Sequence, residues 1–140
     1  MIPAKDVTAI LVNLKIADDQ ALFVILGADG TVNRKGTGAE DNDEHDLFIG
    51  KSSSKMFAAL KKQIKPGVAK WNGVYKARAP KGKPCLLTVG FRDASGKESI
   101  CKFSYGSDSQ GPPPEICDLV IAAVEITDPW YEKQKKMAGK

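Results

Sequence analysis

Residues 85–105 read CLLTVGFRDASGKESICKFSY. Two alternating runs, Cys85 to Arg92 and Lys97 to Tyr105, flank Asp93-Ala94-Ser95-Gly96, which carries Asp at the first and Gly at the fourth place of a type I turn. A three-residue hairpin with a glycine bulge then sets Cys85 opposite Tyr105 and Phe91 opposite Ser99. In that register Cys85, Leu87, Val89 and Phe91 share a face with Ser99, Cys101, Phe103 and Tyr105. Turn and alternation agree on one buried side.

Working outward, Pro114 to Ile126 predicts a helix, since Ile116, Leu119, Val120, Ala123 and Val124 recur at helical spacing. Asp128-Pro129 predicts a break there, followed by a short helical basic tail over about 128–140. Upstream, Val7 to Ile16 alternates with Ile10, Val12, Leu14 and Ile16 on one face. Ala17-Asp18-Asp19-Gln20 supplies turn chemistry, Ala21 to Leu26 is apolar throughout, and Asp29-Gly30 predicts an antiparallel return over Thr31 to Lys35. Gly36 to Asp46 reads as an acidic loop. Leu47 to Gly50 is a short strand candidate leading into a helix from about Ser54 to Lys65. That helix buries Met56, Phe57, Leu60 and Ile64, and Pro66-Gly67 stops it. Within 70–84, Gly73 to Ala77 is an edge-strand candidate and the rest a basic loop.

These elements do not alternate as β-α-β. The expected class is therefore α+β, with a five- or six-stranded mainly antiparallel sheet and two helices packed on one face. At 140 residues and 15.1 kDa the expectation is one domain over 1–140, with a core large enough to need no staples. No apolar stretch approaches the roughly 20 residues that span a bilayer, and the N-terminus lacks a signal-peptide pattern. Cys85, Cys101 and Cys117 are odd in number and carry no Cys-x-x-Cys spacing. A reducing, cytoplasmic setting is expected.

No motif for catalysis, metal or nucleotide survives its spacing. Gly50-Lys51-Ser52 resembles the end of a phosphate loop, but His45 stands where that loop needs glycine. Glu40, Asp41, Asp43, Glu44 and Asp46 offer hard oxygens, yet His45 and Asp46 depart from a calcium loop. Gly36-Thr37-Gly38 lacks the third glycine of a dinucleotide fingerprint. The single histidine removes most zinc architectures, so no metal or cofactor is expected. What remains at Gly50, Lys51, Ser52 and Ser53 is an expected weak anion site at a helix N-terminus.

Charge distribution carries the main functional expectation. Residues 1–50 hold nine acids and four bases, whereas residues 51–84 hold ten bases and no acid. Lysine outnumbers arginine there, and Trp71 and Tyr75 interleave the charges. The expected partner-binding surface is therefore Lys51, Lys55, Lys61, Lys62, Lys65, Lys70, Trp71, Tyr75, Lys76 and Arg78, the basic part of residues 51–83. The expected function is non-enzymatic binding of an acidic protein partner, with the aromatic rings as anchors. Non-specific nucleic-acid binding through the same residues is the alternative, because lysines meet phosphates and rings stack on bases. An enzyme pairing His45 with a cysteine is a third reading.

Overall fold

The computed structural model of the chain describes residues 2–39, 46–65, 68 and 71–139. A 3-10 turn, Ala4–Asp6, leads into β1 (Val7–Ile16), β2 (Asp19–Gly27), β3 (Thr31–Lys35) and β4 (Phe48–Lys51). Helix α1 (Lys55–Lys61), β5 (Gly73–Lys76), β6 (Pro84–Asp93), β7 (Glu98–Gly106) and α2 (Pro114–Met137) follow. The strands form one seven-stranded sheet in the order β4-β3-β2-β1-β6-β7-β5. The class is α+β, as expected, but with more strands than expected. All neighbours pair antiparallel except β5, which lies parallel to β7.

The central hairpin pairs in the register read from its turn, Cys85 with Tyr105 and Phe91 with Ser99. Asp93 Oδ1 accepts from the backbone N–H of Ser95 and Lys97, which closes the turn before Gly96 at φ 91°. The preceding meander is also local in origin. Ala17 and Asp18 both take positive φ, giving the tight twist that suits a two-residue hairpin. The outcome is a register that aligns Val12 with Val24 on one side and Val89 on the other.

One face of the sheet is the core. Ile10, Val12, Leu22, Val24, Leu26, Val32, Leu87 and Val89 are all buried there, beside Phe57 and Leu60 of α1 and Ile116, Leu119 and Ala123 of α2. Both helices therefore cover the same face. Arg34 of β3 reaches Thr127 of α2, Phe48 of β4 meets Tyr131 edge to face, and Trp71 beside β5 donates to Glu115. Helix α2 thus spans the inner face from one edge of the sheet to the other.

Two expected helix boundaries move. Helix α1 ends at Lys61, and tighter turns carry the chain to Ile64, which is buried all the same. Pro66 supplies a reason, because the residue before proline is pushed out of helical backbone. The expected break at Asp128-Pro129, with a separate tail over about 128–140, is corrected: α2 runs unbroken to Met137 with Pro129 inside it. Tertiary contacts outweigh the lost hydrogen bond. Thr127 and Tyr131, on either side of the proline, are both fully buried, while Pro129 and Glu125, the residue whose carbonyl loses its donor, are exposed. Among the described residues no helix is long and apolar enough to cross a membrane.

Candidate partner-binding surface

Among the described residues the basic segment does not form one patch. Lys51 lies at the end of β4 and Lys76 at the end of β5, at opposite edges of the sheet. Six strand spacings, about 29 Å, separate those edges. Lys55, Lys62 and Lys65 are exposed along and just after α1, which packs over β1 and β2. Lys61 is partly covered and donates from Nζ to the carbonyl of Lys5 at 2.9 Å. Lys70 lies outside the described residues, as do Glu40, Asp41, Asp43, Glu44 and His45.

The expected anion site is rearranged. Gly50 and Lys51 belong to a strand, opposite Val32 and Thr31, and Gly50 rests against the Trp130 ring. The Ser52 N–H donates to the Gly30 carbonyl at 2.8 Å. Only Ser53 stands at the start of α1, with its hydroxyl 3.4 Å from the Lys55 nitrogen. That helix is seven residues long and its N-cap makes no side-chain bond.

Trp71, Tyr75, Lys76 and Arg78 do come together, at the β5 edge. Tyr75 stacks on Phe103 with centroids 5.2 Å apart and planes 16° apart, and Trp71 meets both rings edge-on. Trp71 Nε1 donates to Glu115 at 2.9 Å, which ties the ring to the first turn of α2. Tyr75 donates its hydroxyl to the Asn72 carbonyl at 2.6 Å. Beside these rings runs a groove of about 510 Å³, walled by Trp71, Tyr75, Tyr105, Pro112 and Pro113, with Lys76 and Arg78 in its lining. The loop leaving β5 is strapped to the loop after β7, for Asp108 N–H donates to Lys81 and Lys83 N–H to Ser107. Gly106 allows that approach, since a Cβ there would sit 2.1 Å from the Lys81 carbonyl oxygen.

Burial raises the pKa of a titratable hydroxyl in the groove and of the thiols on the buried side near it. Burial pushes the Tyr105 hydroxyl up to about 12, with Cys85 and Cys117 nearby adding to the shift. Burial and then the Asp118 and Glu115 carboxylates raise Cys117, whose thiol donates to the Pro112 carbonyl. Burial pushes Cys101, on the same sheet face, up to about 11. Thiols held protonated are poor nucleophiles. The groove thus presents apolar walls, two cations and, in the Ser109–Pro113 wall, backbone carbonyls and the Ser109 hydroxyl.

A second cluster escaped the sequence reading. Arg34 is 1% exposed, and its guanidinium donates to the carbonyls of Gly36 and Val124, to Thr127 Oγ1 and to Asp128. It also lies 4.3 Å over the Tyr131 ring, whose hydroxyl accepts from Gly36 N–H. The signal was present, because alternation puts Arg34 on the same face as the buried Val32. No family model, no curated protein and no solved structure matches the chain.

Proposed function

We propose that the protein is a non-enzymatic binding module that takes an extended segment of an acidic protein partner in the groove at the β5 edge. The observation that carries this reading is the juxtaposition of Lys76 and Arg78 with the Trp71, Tyr75 and Tyr105 walls around about 510 Å³ of open space. Aromatic walls supply contact area at low entropic cost, and the two cations select for carboxylates. The rings are already locked by Phe103, Glu115 and Asn72, so little ordering remains to oppose binding.

The nucleic-acid alternative is less well supported. Base stacking asks for an open ring face, and one face of Tyr75 is taken by Phe103. The described cations of residues 51–83 are also spread over both sheet edges and a helix rather than along one track. Immobilised protein and its Lys76→Glu/Arg78→Glu variant, exposed to the same cell extract, test the proposal. A partner retained by the parent and lost by the variant is expected. Equal retention by both overturns the groove reading, and a band shift with mixed oligonucleotides that the variant abolishes favours nucleic acid instead.

A further inference from the structure

The face of the sheet opposite the helices is built unlike a solvated one. Five pairings align Ile49, Asn33, Ile25, Leu11, Gly90 and Ile100 in a single row across six strands. All six point away from the core, because their neighbours Val32, Leu26, Ile10 and Val89 point into it. An antiparallel sheet with one wet face normally alternates polar residues outward. Here four of the six are branched aliphatics, and Ile49 and Ile100 are exposed. Gly90 leaves a dent of about 180 Å³ between Leu11, Ile25 and Ile100.

The charges on one side of the row have one sign. Lys51 lies on one side of it, and Lys35 and Lys102 lie on the other, in the next row of outward positions. Lys15 stands one row further out. The Lys51 side is mixed, with Glu98 held by Arg92 at 2.7 Å and the Asp29 carboxylate over Gly27 beside Lys51. An apolar stripe with a cationic margin along Lys35 and Lys102 is a shape for a partner with an apolar ridge and an acidic flank on that side.

From this we infer that the outer sheet face docks an acidic amphipathic helix of a partner protein, with one large apolar side chain seated over Gly90. A sheet with an apolar face is completed by a second layer, and a helix supplies that layer. The row is about 24 Å long, which a helix of about 16 residues covers. A second copy packed margin to margin would set Lys35 and Lys102 against their own equivalents. A lipid leaflet would flatten over the dent instead of filling it. The surface lies on the opposite side of the sheet from the Trp71 and Tyr75 rings, so it can stand or fall independently of the groove.

The test uses the full chain and a synthetic amphipathic peptide of about 18 residues, leucine on one face and glutamate on the other. Its lysine-for-glutamate counterpart is the charge control. The acidic peptide is expected to shift the methyl signals of Leu11, Ile25 and Ile100, and Lys35→Glu/Lys102→Glu should weaken it about tenfold. Gly90→Ala is the sharpest variant. A Cβ at Gly90 meets Ile100 and Leu11 at 3.6–3.7 Å, ordinary contact, so the fold stays intact while the floor of the dent rises under the seated side chain and affinity drops about tenfold. Arg78→Glu, which disables the groove, should leave this peptide's affinity unchanged. Several results overturn the inference: equal binding of the lysine peptide, unaltered affinity in Gly90→Ala, or shifts confined to Trp71 and Tyr75. Self-association by sedimentation, or binding to phosphatidylserine-containing vesicles in place of the peptide, assigns the face to a second copy or a membrane and overturns it equally.

Discussion

Arg34 is the residue on which the two halves of the chain meet. Its fork joins β3 to the segment of α2 just before Pro129, and Asp128, its ionic partner, is 48% exposed. The pair is thus half in water, and the carbonyl and hydroxyl contacts matter as much as the charge. Lysine cannot reproduce five donors in a plane. Arg34→Lys should therefore cost about 3 kcal/mol, close to the loss of a buried partner, whereas Asp128→Asn should cost about 1 kcal/mol. Urea denaturation of both variants checks the order, and equal losses would show that the ion pair alone carries the contact. Cys101 makes a prediction of the opposite kind, since burial favours its neutral form. Its pKa rises from 9.0 to about 11, so its contribution to stability is complete below pH 9 and is lost as pH climbs toward 11. Midpoints measured across that window should fall, and Cys101→Val should fall less.

At the scale of elements, legibility followed locality. The β6–β7 hairpin was readable to the residue because Asp93 and Gly96 fix the turn and strict alternation fixes the face. The β1–β2 and β2–β3 turns were readable for the same reason, although Ala17 at φ 50° is not a residue that turn chemistry would choose. The sequence marks β5 as an edge candidate, but its parallel pairing with β7 depends on a crossover from β4 that no local signal encodes. The unbroken α2 was illegible for a physical reason. Proline rules speak for the local backbone, whereas Thr127 bonding the Ala123 carbonyl and Tyr131 packing under Arg34 hold the helix through the proline from outside it. If that account is right, the proline is tolerated rather than required. Pro129→Ala should restore a donor to the Glu125 carbonyl and raise stability by about 1–3 kcal/mol. A loss of stability in thermal melts would instead mean that the proline shapes the helix in a way its neighbours need.

Over the whole molecule, the run of bases in residues 51–84 was legible as charge but not as a surface. Sequence proximity suggested one patch; the topology carries the chain from one edge strand across the helix-covered face to the other edge, and distributes the cations as it goes. What comes together as a groove is its last part, where Trp71, Tyr75, Lys76 and Arg78 meet the Pro112-Pro113 wall, a contact between segments that alternation cannot announce. The split has an electrostatic consequence. Helix α1 lies over β1 and β2, and three strand spacings, about 14 Å, separate β1 from β5. That exceeds the roughly 8 Å over which salt at physiological strength screens exposed charges. The α1 lysines and the β5 cations therefore act as independent fields. Reversing Lys55, Lys62 and Lys65 to Glu should slow association with an acidic partner only slightly, about threefold or less, because distant charge steers encounter without touching the complex. Reversing Lys76 and Arg78 should raise Kd by about tenfold or more through faster dissociation, since those cations line the groove itself. Surface-binding kinetics at two salt concentrations separate the effects. The first variant should converge on the parent as salt rises, and the second should not. If instead the α1 triple variant abolishes binding at high salt, the partner sits across the helix and the groove is only its margin.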